Sequence, residues 1–296
     1  MTALPEFRSE EARVRYIAAY DAVVRDWPVP FEEIDVETRL GPTHLIASGP
    51  PDAPPLLLLG SFAASATVWR VNVEALSQHF RTYAIDVIGQ AGKSRAMHPI
   101  RNRRDYAPWL GDVLDALAVR RASIVGCSFG AMLALSQASL MPERVDRVVL
   151  ISPVGAFASQ YWKLTYATRI KAPLVKFARR LVRSKKTRSL ADMGLKPPAD
   201  LKWATLMGMT MISFSKVAIT RAPAFGGREL RAIRAPALLL IGDAEKLYEP
   251  EAMLERAKRR MPGLEGAVVP GADHIAAMSQ PGLVNDRIIR FLKKPA

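Results

Sequence analysis

The stretch SIVGCSFGAMLALSQA, residues 123–138, decides how this chain is read. Ser123–Gly126 is a short run of strand type, and from Ala131 to Leu140 the residues are those of a buried helix. Between them stand Gly126, Cys127, Ser128, Phe129 and Gly130, a GxSxG pattern. A serine held on a sharp strand-to-helix turn occupies strained backbone, where side chains on the flanking residues would collide, so glycines are required there. The turn lifts the hydroxyl clear of the sheet, and the helix N-terminus behind it favours developing negative charge. Ser128 is therefore the candidate nucleophile. Two glycines could bracket a serine by accident, but the strand–turn–helix setting is the context that the motif demands. Cys127 occupies the variable position before the serine and reads as a small buried filler.

Outward from this turn, strands and helices alternate. Leu56–Leu59, Thr82–Asp86, Val148–Ser152, Ala237–Ile241 and Gly266–Val269 read as strands. Trp69–Phe80, Tyr106–Leu117, Pro250–Arg260 and Leu283–Leu292 read as helices between or after them. Before them, Ile34–Arg39 and His44–Ser48 flank Gly41-Pro42 and read as a hairpin. Residues 9–26 have helical periodicity, with Ser9 as N-cap and Val14, Ile17, Ala18 and Tyr20–Ala22 on or near one side. Short unbroken apolar strands are the kind buried on both faces, and the β/α alternation predicts a doubly wound, mostly parallel α/β sheet. Ligands of such sheets sit beyond the carboxyl ends of the strands, where each chemical candidate falls.

A serine nucleophile needs a base, and the base an orienting acid. His274 follows the last strand and precedes the last helix, downstream of Ser128; His44, His79 and His98 lie at poorer places. Between serine and histidine, LLLIGDAEKLYEP offers Asp243, Glu245 and Glu249. Asp243 directly follows Gly242 and suits a turn. Glu245, three residues past Gly242, stands where the loop has cleared the sheet edge, and is preferred.

Composition bounds the rest. With 296 residues, 49% apolar and 24% charged, the chain suits one domain with an insertion. The start, MTALPEFRSEE, turns acidic where a signal peptide's apolar core would stand, and no apolar run is long enough to span a bilayer. The single cysteine forms no internal disulfide, so a cytoplasmic location is expected. Scattered histidines without CxxC or HExxH predict no metal site. The net charge of +14 suggests nucleic acid until it is mapped. Residues 156–235 hold 17 Lys/Arg against 3 Asp/Glu, and the remainder is balanced, so the charge belongs to one insert and predicts no nucleic-acid partner. Gly89–Ser94 imitates a phosphate-binding loop, but the glycine that GxxxxGK[ST] needs is Val87 here.

In the order nucleophile, insert, acid, histidine, the chain resembles the α/β-hydrolase superfamily over nearly its full length. That resemblance implies Ser128, His274 and Glu245 as catalytic residues, the acid usually standing three residues past a glycine. Members carry an HGF-like segment after the third strand, whose third residue donates a backbone N–H to the oxyanion hole. Laid on LLLLGSFAASATVWR, this puts Phe62 at the donor position and Trp69 at its usual place, with the N–H of Phe129 as companion donor. The chain departs from the family in having Gly60-Ser61 where His-Gly is usual. The segments DVIGQAGKS and LLLIGDAEKLYEP resemble a bacterial carboxylesterase-like branch.

The resemblance also divides the chain into a core of residues 1–155 and 236–296 and a basic helical cap, residues 156–235, inserted after the sixth strand. It implies a serine hydrolase acting on a small-molecule ester or acyl substrate, without a cofactor. A serine at the turn argues against dehalogenase and epoxide-hydrolase chemistry, which use an aspartate there. The rivals are an acyltransferase using the same residues and a non-catalytic binding or membrane-associated relative. Within the insert, LVKFARRLVRSKK (residues 174–186) sets Leu174, Phe177 and Leu181 against basic groups, which packs on the core or touches an anionic membrane surface. The stretch LMGMTMISF (residues 206–214) reads as core rather than as a lipid groove.

Overall fold

The structure is a computed structural model that describes residues 6–157, 201–216 and 225–295. Its centre is an eight-stranded sheet, in spatial order β10-β9-β7-β6-β4-β5-β3-β2. These are β2 (Phe31–Val36), β3 (Thr43–Ser48), β4 (Pro55–Leu59), β5 (Arg81–Ile85), β6 (Ala122–Cys127), β7 (Val145–Ile151), β9 (Ala237–Gly242) and β10 (Glu265–Val269). From β5 to β10 across the sheet, neighbours run parallel; β3 is antiparallel to both β2 and β5, as the hairpin reading requires.

Both faces are covered, which is why the central strands are apolar throughout. On β4, Leu57 and Leu59 join a core with Trp109, Leu133, Leu150 and Leu239. Leu56 and Leu58 turn the other way, to Trp69, Val125, Leu240 and Phe291. Each fully buried leucine contributes roughly 1.5–3 kcal/mol over its exposed state. The covering helices include α2 (Val73–Ser77), α3 (Tyr106–Ala116), α4 (Phe129–Leu140), α7 (Pro250–Arg260), α8 (Ala276–Ser279) and α9 (Pro281–Leu292). Among the described residues no helix is long and apolar enough to cross a membrane.

Two sequence expectations need correction. The helix expected over Trp69–Phe80 is split into a tight 3-10 segment, Ala66–Val71, and α2. At the break the buried Asn72 side chain donates to the Ala277 carbonyl (2.9 Å) and to Asn285 Oδ1 (2.8 Å), a lateral demand that a continuous amphipathic helix would not meet. Helix α1 (Glu10–Val24) forms as expected from its Ser9 cap, but the buried residues are Ala12, Tyr16, Tyr20, Val23 and Val24, while Val14 is exposed. The tyrosines set that face. Their hydroxyls are buried near Asp86, whose charge adds to burial in raising both phenol pKa values.

Of the insert, the structure describes α5 (Leu201–Ser213), β8 (Phe214–Lys216) and α6 (Gly227–Ala232). A strand in this insert was not foreseen. β8 pairs with β1 (Glu6–Phe7), and Phe214 packs on Phe7 (4.3 Å between ring centres) and edge-on to Tyr16 (5.1 Å). In the Met-rich stretch, Leu206 is buried, Met209 is partly buried and Met211 exposed. The basic segment 174–186 lies outside the described residues.

The two ends of the insert meet at a polar neck. The amide of Phe225 donates to the Ala156 carbonyl (3.3 Å), and Arg260 donates to the carbonyls of Phe157 (3.0 Å) and Phe225. Arg103, buried, lies 3.9 Å over the Phe225 ring and donates to both oxygens of Glu229 at 2.7 Å. Burial pushes the Glu229 pKa up, but Arg103, the Gly226 N–H and Arg104 outweigh it and hold the carboxyl at about 2, below its ordinary 4.5. A carboxyl lowered by folding stabilises fully above its unfolded value and loses that contribution as pH falls through the folded one. Replacing Glu229→Gln should therefore destabilise the protein by about 3 kcal/mol near neutral pH, as for a broken, largely buried ion pair. In thermal melts the gap between parent and variant should close as pH drops from about 4.5 toward 2. A gap that does not change with pH would refute the ion-pair account.

Candidate active site

Strand β6 ends at Cys127 and α4 starts at Phe129, leaving Ser128 alone on the turn with φ 54° and ψ −106°. A non-glycine residue at such positive φ costs about 1–3 kcal/mol and persists only where its surroundings enforce it. Here the Ser128 amide donates to the Ile151 carbonyl at 2.8 Å, fastening the turn to β7. The flanking glycines are a matter of space: a Cβ on Gly126 would lie 2.3 Å from the Gly130 carbonyl oxygen, and one on Gly130 would lie 2.2 Å from that of Leu59. Strand and helix can approach this closely only without those side chains.

Around Ser128 the structure gathers residues from three strand ends. Ser128 Oγ lies 2.9 Å from His274 Nε2, and His274 Nδ1 lies 2.6 Å from Glu245 Oε2. The other Glu245 oxygen accepts the amides of Lys246 (2.8 Å) and Leu247 (2.9 Å). Burial alone would raise the Glu245 pKa; the hydrogen bond and charge of His274, with the two amides, more than offset it and hold the carboxyl below its ordinary value. The loops bearing acid and histidine are themselves joined, since the Ala244 amide donates to the Ala272 carbonyl at 2.9 Å. Gly242 makes that contact possible: a Cβ there would sit 2.2 Å from the same carbonyl oxygen.

The rejected candidates lie elsewhere. Asp243 is exposed and its amide donates to the Val269 carbonyl in a turn (3.1 Å); Glu249 is the exposed residue capping α7. His44 is buried on β3, the strand next to the edge strand β2, with its Nδ1 2.7 Å from Asp35. The Cys127 thiol is buried, within 3.4 Å of Ser61 Oγ, and burial pushes its pKa up to about 11. A thiol that stays protonated is a poor nucleophile, which suits the filler reading.

Phe62 stands in the loop after β4, 41% exposed, its ring edge-on to that of Phe129 at 6.3 Å. The Phe129 amide is the first of α4, one that a helix leaves without an internal partner. Beside this loop lies an apolar recess lined by Val68, Trp69, Cys127, Ile275, Ala277 and Met278, with Ser61 at its wall.

Sequence reasoning missed what supports this loop. Asp86 at the end of β5 is buried and accepts the amides of Ala66 and Lys93, both at 2.6 Å. Gln90 Oε1 accepts the amide of Ala63 at 3.0 Å. The segment that imitates a phosphate loop thus gives one backbone N–H, that of Lys93, to an anion, and the anion is the chain's own carboxylate. Burial raises its pKa, opposed by His44 and the two amides. Among the described residues no cluster of His, Cys, Asp or Glu could hold a metal ion.

Comparison with known proteins agrees with the fold. Residues 54–281 match the family described as alpha/beta hydrolase fold. Carboxylesterase YbfK of Bacillus subtilis is 33% identical over 97% of this chain and 96% of its own length. A second protein of that organism, named as the uncharacterized carboxylesterase nap, is 34% identical over 98% and 95%. The crystal structure of naproxen esterase from Bacillus subtilis superposes with a TM-score of 0.81 at 31% identity, covering 97% of this chain and all of that one. Fold, residue order and relatives agree: this chain belongs to the α/β-hydrolase family.

Proposed function

We propose that this protein is a carboxylesterase working through Ser128, His274 and Glu245. The observation that carries the reading is the unbroken run of contacts from Ser128 Oγ through the His274 ring to Glu245, 2.9 Å and 2.6 Å long. Ser128 Oγ attacks the ester carbonyl carbon while His274 Nε2 takes its proton. The carbonyl oxygen becomes an oxyanion and receives the N–H groups of Phe62 and Phe129; one such donor is typically worth about 3–4 kcal/mol in the transition state. As the C–O bond to the alcohol breaks, His274 returns the proton to the departing oxygen. Water then attacks the acyl-serine with the same base, releasing the acid and restoring Ser128. Glu245 holds the imidazole with Nδ1 protonated and steadies the imidazolium.

Relatives named as carboxylesterases over nearly their whole length support ester cleavage and a small-molecule substrate. We place the protein in a reducing compartment such as the cytoplasm, since its single cysteine is free and buried.

Ser128→Ala and His274→Ala should each lower p-nitrophenyl ester hydrolysis by a factor on the order of 10⁴ or more without loss of fold. Since the residues act as a unit, the double variant should be little worse than either. Near-normal turnover by a folded Ser128→Ala protein would end this mechanism, as would failure of a fluorophosphonate to label the parent.

The two acids separate in a second measurement. Glu245→Gln puts an amide against Nδ1, unable to balance the imidazolium and able to favour the wrong tautomer. It should reduce kcat by roughly 10²–10⁴, as loss of an orienting acid does. Asp243→Asn, at an exposed turn, should stay within about twofold. A larger loss from Asp243→Asn would transfer the role.

A further inference from the structure

We propose that Tyr248 is a positioning residue for Glu245: its buried hydroxyl, supported by that of Ser152, donates to the carboxylate oxygen that faces His274. This rests on the esterase reading above. The contacts of Glu245 leave room for such a donor. Each carboxylate oxygen can accept about two hydrogen bonds. Oε1 accepts the amides of Lys246 and Leu247, whereas among the described residues Oε2 faces only His274 Nδ1. Water does not supply the second donor, since the Glu245 side chain has no exposed surface. Tyr248, three residues on in the same loop, is buried as well. Burial first, and then the charge of Glu245, push its phenol well above the ordinary pKa of 10, while the Ser152 hydroxyl pulls it down, so the three groups share one buried cluster.

Ser152 carries the second part of the argument. It directly follows β7, is fully buried and has φ 45°, a conformation that costs any residue but glycine. Its amide donates to the Leu240 carbonyl of β9 at 2.9 Å, and the preceding carbonyl, that of Ile151, takes the Ser128 amide at 2.8 Å. It therefore lies between the turn of the nucleophile and the strand that leads to Glu245. What serine adds there over glycine is the hydroxyl that acts on Tyr248. Among the described residues neither hydroxyl oxygen meets a partner with full hydrogen-bond geometry, although both are sealed from water. Hydrogen bonds of a catalytic site are often loose in the free enzyme and tighten as charge develops. The direction of donation follows from the charge: Glu245, held below its ordinary pKa, only accepts, so Tyr248 donates to it and accepts from Ser152.

The test measures kcat and KM for a p-nitrophenyl ester in Tyr248→Phe, Ser152→Gly, Glu245→Ala and the double variant of Tyr248→Phe with Glu245→Ala. Phenylalanine keeps the ring and loses only the hydroxyl; glycine loses the serine hydroxyl and suits φ 45°. Tyr248→Phe should lower kcat about fivefold to fiftyfold with KM nearly unchanged, because a misaligned acid weakens the transition state and not the bound ester. Ser152→Gly should lower kcat in the same manner, by about threefold to tenfold. In Glu245→Ala no carboxylate is left to position, so adding Tyr248→Phe should change kcat by less than about twofold. A general loosening of the structure would cost the same factor in both backgrounds, and that result overturns the positioning role alone. So does a Tyr248→Phe variant within about twofold of an active parent. If Tyr248→Phe does not fold, Ser152→Gly, alone and with Glu245→Ala, carries the same comparison. A parent that neither hydrolyses the ester nor reacts with a fluorophosphonate, or a Glu245→Ala variant as active as the parent, overturns the reading of the site and this inference with it.

Discussion

The working end of this protein depends on one steric constraint: the backbone must pass through φ 54° at Ser128 between a buried strand and a buried helix. An L-residue pays for that conformation, and the surroundings must over-determine it. The Ile151 carbonyl takes the Ser128 amide, and the absent side chains at Gly126 and Gly130 let α4 close on β6 and β4. Once the turn is formed, the hydroxyl stands above the carboxyl ends of the strands, where loops from the far side of the sheet can reach it. Glu245 and His274 arrive on two such loops, after β9 and β10, stitched by the Ala244–Ala272 backbone bond. A second side of the site arrives after β4.

That second side is built around a buried charge. Asp86 is sealed from water under the Ala66 and Lys93 amides and beside two buried tyrosines of α1. A lone carboxylate in such a place would be costly, and hydrogen bonds to its charged form are what make it tolerable. The same bonds order the loop that carries Phe62. Helix α1 in turn packs against α5 of the insert, and β1 extends β8. The N-terminal segment therefore belongs physically to the insert as much as to the sheet.

The arrangement separates two kinds of polar interaction. Glu245 has a lowered pKa because its hydrogen bonds and the adjacent imidazole outweigh burial, so it remains a carboxylate where the imidazole needs a counter-charge. Glu229 is lowered too, but by arginines at the neck of the insert, where the consequence is structural. Charge at the neck of the insert and charge beside the His274 ring obey the same physics. What each accomplishes follows from the neighbour it faces.

Much of this was legible in the residues because it is local or periodic. Unbroken apolar strands between helices require a sheet covered on both faces, and GxSxG requires a tight turn from strand to helix. Spacing past Gly242 favoured Glu245 over Asp243, and chain order pointed to His274. Periodicity misjudged α1, however, since a tyrosine with a hydroxyl near Asp86 counts as apolar only once its partner is known. It also missed the break at Asn72, whose partners Ala277 and Asn285 lie 205 and 213 residues away. The short strand β8 needed β1 to exist at all. Sequence by itself determined the sheet, the turn at Ser128 and the order of the residues that meet there, since each follows from patterns within a few residues. Tertiary structure alone decided which carboxylate touches Nδ1 and that Gln90, 27 residues away, meets the amide of Ala63. Such contacts depend on the direction in which a side chain leaves its own loop, and that direction is set by packing against elements distant in the chain.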